Sequence, residues 1–209
     1  MTKFVILLNG DVTVTERLRH QVSDGRVIAV DGGMRHAQTL KLVPERWIGD
    51  FDSSSKDLQQ EWSQVQQMVH PVEKDKTDGA LALEFALDCG ADEIVLVGGL
   101  GGELDHSICH VSQLVWLARQ NVASFATSGS EEAWPLVNGR FQRDFPVAST
   151  ISIVGLTDLK DLCLNGVKWP LKCVDVTFGA SLTMSNEVTG LVSGSLDGGY
   201  GVVLVKDII

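Results

Sequence analysis

The chain has 209 residues, 44% hydrophobic and 21% charged, the balance of an ordinary soluble globular protein with room for one large domain or two small ones. Its 17 Lys and Arg face 27 Asp and Glu, a formal net charge of −10. Such acidity argues against holding nucleic acid by phosphate neutralisation, and it means that a bound polyanion would need positive charge from a metal ion.

The first apolar run, residues 4–8, predicts a strand buried on both faces of a parallel sheet, ending at Asn9-Gly10. Its five residues are too few for a signal peptide, and no run approaches the roughly 20 apolar residues of a membrane span. Residues 13–22 predict a helix capped by Thr13 or Thr15, and residues 27–30 a second buried strand that stops at Asp31-Gly32-Gly33. A carboxylate and two glycines at the carboxyl end of such a strand, followed by a helix over 34–40, form the place where open α/β sheets bind ligands. A short strand at 47–48 then leads into Gly49-Asp50-Phe51-Asp52-Ser53. Carboxylates at x-D-x-D spacing make either a solvated acidic loop or an oxygen cage for Mg²⁺. Acidic turns after two further strands favour the cage.

A polar helix over 56–66, capped by one of Ser53 to Ser55, and an edge strand over 68–72 come next. Thr77 caps a helix with a broad apolar face (Leu81, Leu83, Phe85, Ala86, Cys89), which sets Asp75 and Asp78 at its positive end. The strand at 93–97 runs into Gly98-Gly99-Leu100-Gly101-Gly102, a close-approach turn suited to phosphate although it is neither G-x-G-x-x-G nor a P-loop. A long helix over 104–120 carries Asp105 near its start. His106 and His110 share one face of it, but no acidic third ligand follows at metal-site spacing, so His110 reads as a packing or capping residue.

After about residue 121 the strand–helix alternation stops, and 127–132 reads as a linker or hairpin. Short runs at 134–137, 150–154, 159–164, 173–178, 181–185, 187–195 and 201–205 predict a small antiparallel sandwich or barrel. The expected organisation is an α/β domain over 1–130, Rossmann-like with a mostly parallel sheet, and an all-β domain over 131–209. The four cysteines, Cys89, Cys109, Cys163 and Cys173, sit singly in apolar segments, as buried free thiols do, and predict a reducing, cytoplasmic setting.

Taken in order, Asp31-Gly32-Gly33, Gly49-Asp50-Phe51-Asp52-Ser53, Lys74-Asp75-Lys76-Thr77-Asp78, the glycine turn through Glu103-Leu104-Asp105-His106, and Ser185-Asn186-Glu187 resemble the thiamine pyrophosphokinase family over nearly the whole chain, including the segment 166–171. The resemblance implies an enzyme that transfers the pyrophosphoryl group of ATP to the hydroxyl of thiamine and releases AMP. It also implies a homodimer, with each site between the α/β domain of one subunit and the β domain of the other. Asp31, Asp50, Asp52 and Asp78 would hold Mg²⁺ and the nucleotide phosphates, with Gly32, Gly33, Gly101, Gly102 and His106 around the ATP. Lys74 and Asp105 would border the ATP and the attacking hydroxyl, with Asp78 or Asp105 to accept its proton. Ser185 and Asn186 would touch thiamine, with Trp169 as a wall.

The chemistry agrees, since such transfer rests on positioning and charge neutralisation more than on covalent steps. The chain departs from the family at Glu103, where arginine is usual. Lys74, Lys76, Arg35 or a second Mg²⁺ is the expected replacement for that charge, unless Glu103 turns outward. Two alternatives remain: a pyrophosphokinase for another heteroaromatic alcohol such as a hydroxymethyl-pterin, and a non-catalytic thiamine- or nucleotide-binding regulator. A Rossmann-type dehydrogenase is disfavoured, because Asn9-Gly10-Asp11 follows the first strand in place of G-x-G-x-x-G.

Overall fold

Strands β1 (Lys3–Leu7), β2 (Arg26–Val30) and β5 (Glu93–Val97) are Val-, Ile- and Leu-rich runs whose side chains alternate between two covered faces. In the computed structural model, which describes residues 1–51, 54–69 and 75–208, β1 lies between β2 and β5, parallel to both. The parallel part continues through β3 (Arg46–Gly49) to β4 (Gln67–Val69) on one side and through β6 (Ala123–Thr127) on the other. Phe4, Ile6 and Leu96 pack on helices α4 (Asp78–Asp88) and α5 (Leu104–Arg119). Val5, Leu7, Trp47 and Val97 face α1 (Glu16–Val22) and α2 (Arg35–Leu40) on the other side. Each such fully buried aliphatic side chain contributes about 1.5–3 kcal/mol relative to an exposed one.

The caps follow the side-chain chemistry. Thr15, Ser55 and Thr77 each accept a hydrogen bond from the backbone N–H three residues on, which starts α1, α3 (Lys56–Glu61) and α4. The expected helix over 34–40 begins as a 3₁₀ turn, Asp31–Met34, and α3 is shorter than the expected 56–66.

The parallel sheet does not end at residue 121. β6 extends it by one strand, and β7 (Glu131–Leu136) folds back antiparallel on β6 to carry the same sheet into the C-terminal region. β13 (Gly201–Lys206) and β9 (Thr150–Gly155) follow in antiparallel order. Strand β12 (Asn186–Leu196) pairs with β9 through its first two residues and then with β8 (Gly139–Arg143) and β10 (Leu159–Val167), while β11 (Leu171–Val176) borders β10. The two layers enclose Leu136, Ile151, Ile153, Leu162, Val192, Leu196 and Val203. The expected fold class therefore holds: a helix-flanked, mostly parallel half and an antiparallel β half.

Two expectations need correction. Residues 181–185 form a turn rather than a strand; Thr183 is buried and donates through Oγ1 to Ile153 O, and Ser185 has a left-handed φ of 55°. The cysteines are not four buried free thiols. Antiparallel pairing of β10 with β11 sets Leu162 opposite Val174, and Cys163 and Cys173 close a disulfide there, with Cα atoms 4.2 Å apart. Cys89 is half-buried and Cys109 exposed. The cysteine argument for a reducing setting therefore fails.

The two halves are tied together at Glu132, on β7. Its fully buried carboxylate accepts from Arg17 Nε (2.6 Å) and Nη2 (3.2 Å), Gln21 Nε2 (2.6 Å) and Trp134 Nε1 (2.9 Å). Four donors, three of them from α1, offset the desolvation that a buried carboxylate otherwise suffers. No helix among the described residues is long and apolar enough to cross a membrane.

Candidate active site

At their carboxyl ends the parallel strands are stitched by loop hydrogen bonds: Leu8 N donates to Val97 O, Gly10 N to Gly98 O, and Gly98 N to Thr127 O. Gly98 has φ 73°, and a Cβ there would stand 2.7 Å from Leu8 O, so only glycine fits this approach. Arg35 clamps the Asn9–Gly10 bend, donating from Nη2 to Asn9 O (2.6 Å) and from Nη1 to Asn9 Oδ1. His36 adds a contact from Nε2 to Gly10 O at 2.9 Å. On the opposite wall, His110 Nδ1 bonds Gly99 O at 3.0 Å. Burial pushes the pKa of both histidines down, which leaves neutral rings that buttress the loops.

Asp31 sits at the end of β2 with a left-handed φ of 42°, held by Trp47 Nε1 donating to its carbonyl at 2.9 Å. Its Oδ1 accepts from Phe51 N at 3.3 Å and lies directly over Gly49, where any Cβ would collide with it. The glycine before Asp50 is thus explained by the carboxylate of Asp31. The edge-to-face pair of Trp47 and Phe51, with centroids 4.9 Å apart, braces the loop that carries Asp50.

These loops surround a cleft of about 840 Å³ lined by Asp31, Asp50, Asp75, Asp78, Glu103, His106, Gly98, Gly99 and Gly102, together with Asn9, Gly10, Lys76, Thr77 and His110. Five carboxylates meet there. The described ammonium among them, Lys76 Nζ, is 2.6 Å from Glu84 Oε1. Several hard oxygen donors around one cleft among the described residues suit a divalent ion such as Mg²⁺.

The expected site residues divide into three groups. Asp31, Asp50, Asp78, Gly102 and His106 line the cleft. Asp105 is exposed in the first turn of α5, its Oδ1 accepting from His106 N, and it joins Glu103 and His106 in a cluster whose ligand atoms lie within 4.8 Å of one another. Gly32 and Gly33 do not line the cleft; they are buried against Asn9 and Leu7, where side chains would collide with β1 and the loop that follows it. Gly101 lines a neighbouring groove instead. Asp52 and Lys74 lie outside the described residues.

The third group is in the β half. Asn186 Oδ1 accepts from Trp169 N at 3.0 Å, and its Nδ2 donates to Trp169 O at 2.8 Å, so Asn186 sets the backbone of the exposed Trp169. Ser185 N donates to Ser152 Oγ at 2.9 Å, and Ser185 lines a groove of about 510 Å³ between α5 and the sheet. Ser107 borders both this groove and the aspartate cleft, while Asn186 and Trp169 line neither. Of the expected substitutes for the missing arginine, Arg35 is committed to the Asn9 loop and Lys76 to Glu84. Glu103 borders the cleft, with a largely exposed carboxylate 3.7 Å from His106 Nε2. Sequence reasoning missed the clamping roles of Arg35 and His36, because both depend on how the β1 loop folds back.

The comparisons with known proteins agree with this geometry. Residues 20–126 match the family described as "Thiamin pyrophosphokinase, catalytic domain", and residues 140–197 match "Thiamin pyrophosphokinase, vitamin B1 binding domain". The chain is 28% identical over 165 residues to the thiamine pyrophosphokinase of Bacillus subtilis, covering 77% of each chain. It is 24% identical over 200 residues to a thiamin pyrophosphokinase of Caenorhabditis elegans, covering 88% of this chain and 81% of the other. Among solved structures, a thiamine pyrophosphokinase from Bacillus subtilis superposes with TM-score 0.87 at 22% identity over 100% of both chains. One from Geobacillus thermodenitrificans superposes with TM-score 0.81 at 25% identity, over 99% of this chain and 97% of the other. Two matches in this order, the first spanning the strand ends that carry Asp31 and Asp50 and the start of α4 at Asp78, make the chain a member of the thiamin pyrophosphokinase family.

Proposed function

We infer that the chain is an ATP-dependent transferase that moves the pyrophosphoryl group of ATP to the hydroxyl of thiamine, giving thiamine diphosphate and AMP. One observation carries the reading at the level of chemistry: a single cleft gathers Asp31, Asp50, Asp75 and Asp78 beside the Gly98–Gly99 turn at the strand ends. The match of the β half to a vitamin B1 binding domain favours thiamine over a pterin alcohol, and nothing favours the regulator reading.

In this reading, Asp31, Asp50 and Asp78, with Asp52, hold Mg²⁺, whose all-oxygen preference their carboxylates satisfy. When bound, the ion neutralises charge on the phosphates. The backbone N–H groups of the glycine turn orient the phosphate chain, Gly102 and His106 border the nucleotide, and Lys74 would supply positive charge to the ATP. Asp78 or Asp105 accepts the proton of the thiamine hydroxyl. Trp169, Ser185 and Asn186 form the thiamine wall.

Because Asn186 and Trp169 do not line the cleft of their own chain, a homodimer is part of the reading, with the partner's β half closing each cleft. Exposed apolar side chains on α5 and the β rim, Leu104, Ile108 and Met184, give a second copy a surface to cover. The functional division is drawn between residues 130 and 131, within the turn that joins β6 to β7. Cytoplasmic residence rests on the need for ATP rather than on the cysteines.

The test is product analysis with ATP, Mg²⁺ and thiamine, resolving AMP from ADP. Thiamine-dependent AMP, largely lost in Asp78→Asn, is the expected result. ADP would mean simple phosphoryl transfer, a pterin alcohol outpacing thiamine would mean another acceptor, and thiamine binding without nucleotide turnover would mean a regulator.

A further inference from the structure

The hairpin of β10 and β11 carries Trp169 in its turn and the Cys163–Cys173 disulfide across its strands. One side of the turn is fastened to β12: Trp169 N and O both bond the Asn186 side chain, and Lys168 N donates to Glu187 O at 2.9 Å. On the other side the chain passes through Pro170 into β11, which lies at the end of the sheet and pairs with β10 alone among the described residues. That pairing shifts register on both sides of Leu162, and Leu164 opposite Leu171 is the last pair before the turn. The disulfide spans this irregular stretch and ties the returning strand covalently to the β half.

The bridge differs from a purely structural staple. Cys173 is exposed and Cys163 half-buried, which opens the bridge to a small thiolate, and exposed disulfides are the labile ones. Cys173 also has a φ of 52°, a conformation that a non-glycine residue keeps only where its surroundings impose it. The sequence separation of 10 gives less chain-entropy stabilisation than a long-range bridge would, beside a core that already buries Leu162, Leu164 and Val176. In the cytoplasmic setting that ATP use favours, a disulfide of this kind is transient rather than permanent.

Taking Trp169 as part of the thiamine wall, as in the function proposed above, we propose that Cys163 and Cys173 form a reversible redox switch for thiamine binding. The disulfide holds the Trp169 turn in place, and reduction frees β11 and loosens that turn. In opening, the thiolate of a small thiol attacks Cys173 Sγ, the S–S bond breaks, and Cys163 leaves as a thiolate that takes up a proton. A second thiol then releases Cys173 from the mixed disulfide. Two small thiols become one disulfide, and the protein gains two electrons and two protons. Closing is the reverse, with a small disulfide as oxidant.

The experiment compares the intact protein in oxidised glutathione and in dithiothreitol. Differential alkylation reads the cysteines, hydrogen exchange without thiamine reads residues 164–174, and AMP formation reads the kinetics. The bridge is expected to open and close, with exchange over 168–174 and KM for thiamine both rising severalfold on reduction while KM for ATP holds. The double variant Cys163→Ser, Cys173→Ser keeps the higher KM in both conditions; a redox response that persists in it comes from Cys89 or Cys109 and overturns the proposal. So does a bridge that never forms or never opens, exchange that is the same in both states, or a KM for thiamine that is equal or lower after reduction. If neither state forms AMP, the reading of the function falls instead, and unchanged exchange would still overturn the switch. The wild-type comparison needs no variant to fold.

Discussion

The parallel and antiparallel halves of this protein share one sheet yet build recognition surfaces in different ways. The parallel half gathers backbone and short side chains from loops at the strand ends: Asn9-Gly10 after β1, Asp31 after β2, Asp50 after β3 and Gly98–Gly99 after β5 all face one cleft. Parallel strands end on the same edge, so chain positions far apart converge without long side chains. The antiparallel half has no such common edge. It displays Trp169 from the turn after β10 and orients it through Asn186 at the start of β12. The first arrangement suits a metal and phosphates, which need several oxygens and N–H groups around one point. The second suits a flat organic ring, which needs one exposed aromatic face.

If that division of labour is right, damage to each half has a different signature. The largest effect belongs to the parallel half: Asp78→Asn or Asp31→Asn lowers kcat for AMP formation by on the order of 10²–10³, with little change in melting temperature. Trp169→Ala instead raises KM for thiamine about tenfold and leaves KM for ATP near its wild-type value. Mixing the Asp78→Asn and Trp169→Ala proteins sharpens the contrast. In a dimer with sites shared between subunits, subunit exchange restores up to about a quarter of the wild-type rate at thiamine well below KM, since half of the dimers are mixed and each mixed dimer keeps one intact site. Turnover that stays at the sum of the two mutants sinks the shared site.

Stability probes the junction between the halves. Glu132→Gln leaves Arg17 beside a neutral amide and removes charge-assisted bonds, so it lowers unfolding free energy by about 2–4 kcal/mol, read as a shift in urea midpoint. A mutant whose two halves then melt separately would identify Glu132 as the main tie between them. The smallest effect is the response to acid. The folded-state pKa values of His36 and His110 lie below the 6.5 of the free side chain, so the unfolded chain takes up protons first as pH falls. Their contribution is complete above about pH 6.5 and is lost as the pH drops through the lower folded values. His110→Gln flattens the urea midpoint between about pH 7 and pH 5, and an unchanged slope would exclude His110 as a source.

Much of this was legible in the chain because the signals are local. Apolar runs of five residues, Thr15 and Thr77 as caps, and carboxylates next to strand ends depend only on neighbours in sequence, and they carried both the fold class and the acidic cleft. Other features depend on contacts across long separations. β6 is absent from the expected strands because Ala123, Ser124 and Thr127 become strand residues only when β5 offers an open edge. Gly32 and Gly33 look like ligand contacts, but the close approach of Asn9 and Leu7 accounts for them. Cys163 and Cys173 carry no disulfide signal until β10 and β11 pair. Periodicity and side-chain chemistry are enough to place the buried parallel strands, the capped helices and the turns that carry charge. Which of those turns share a cleft and which cations are already paired, as Arg17 is to Glu132, depends on the three-dimensional fold, because burial and pairing arise from residues distant in the chain.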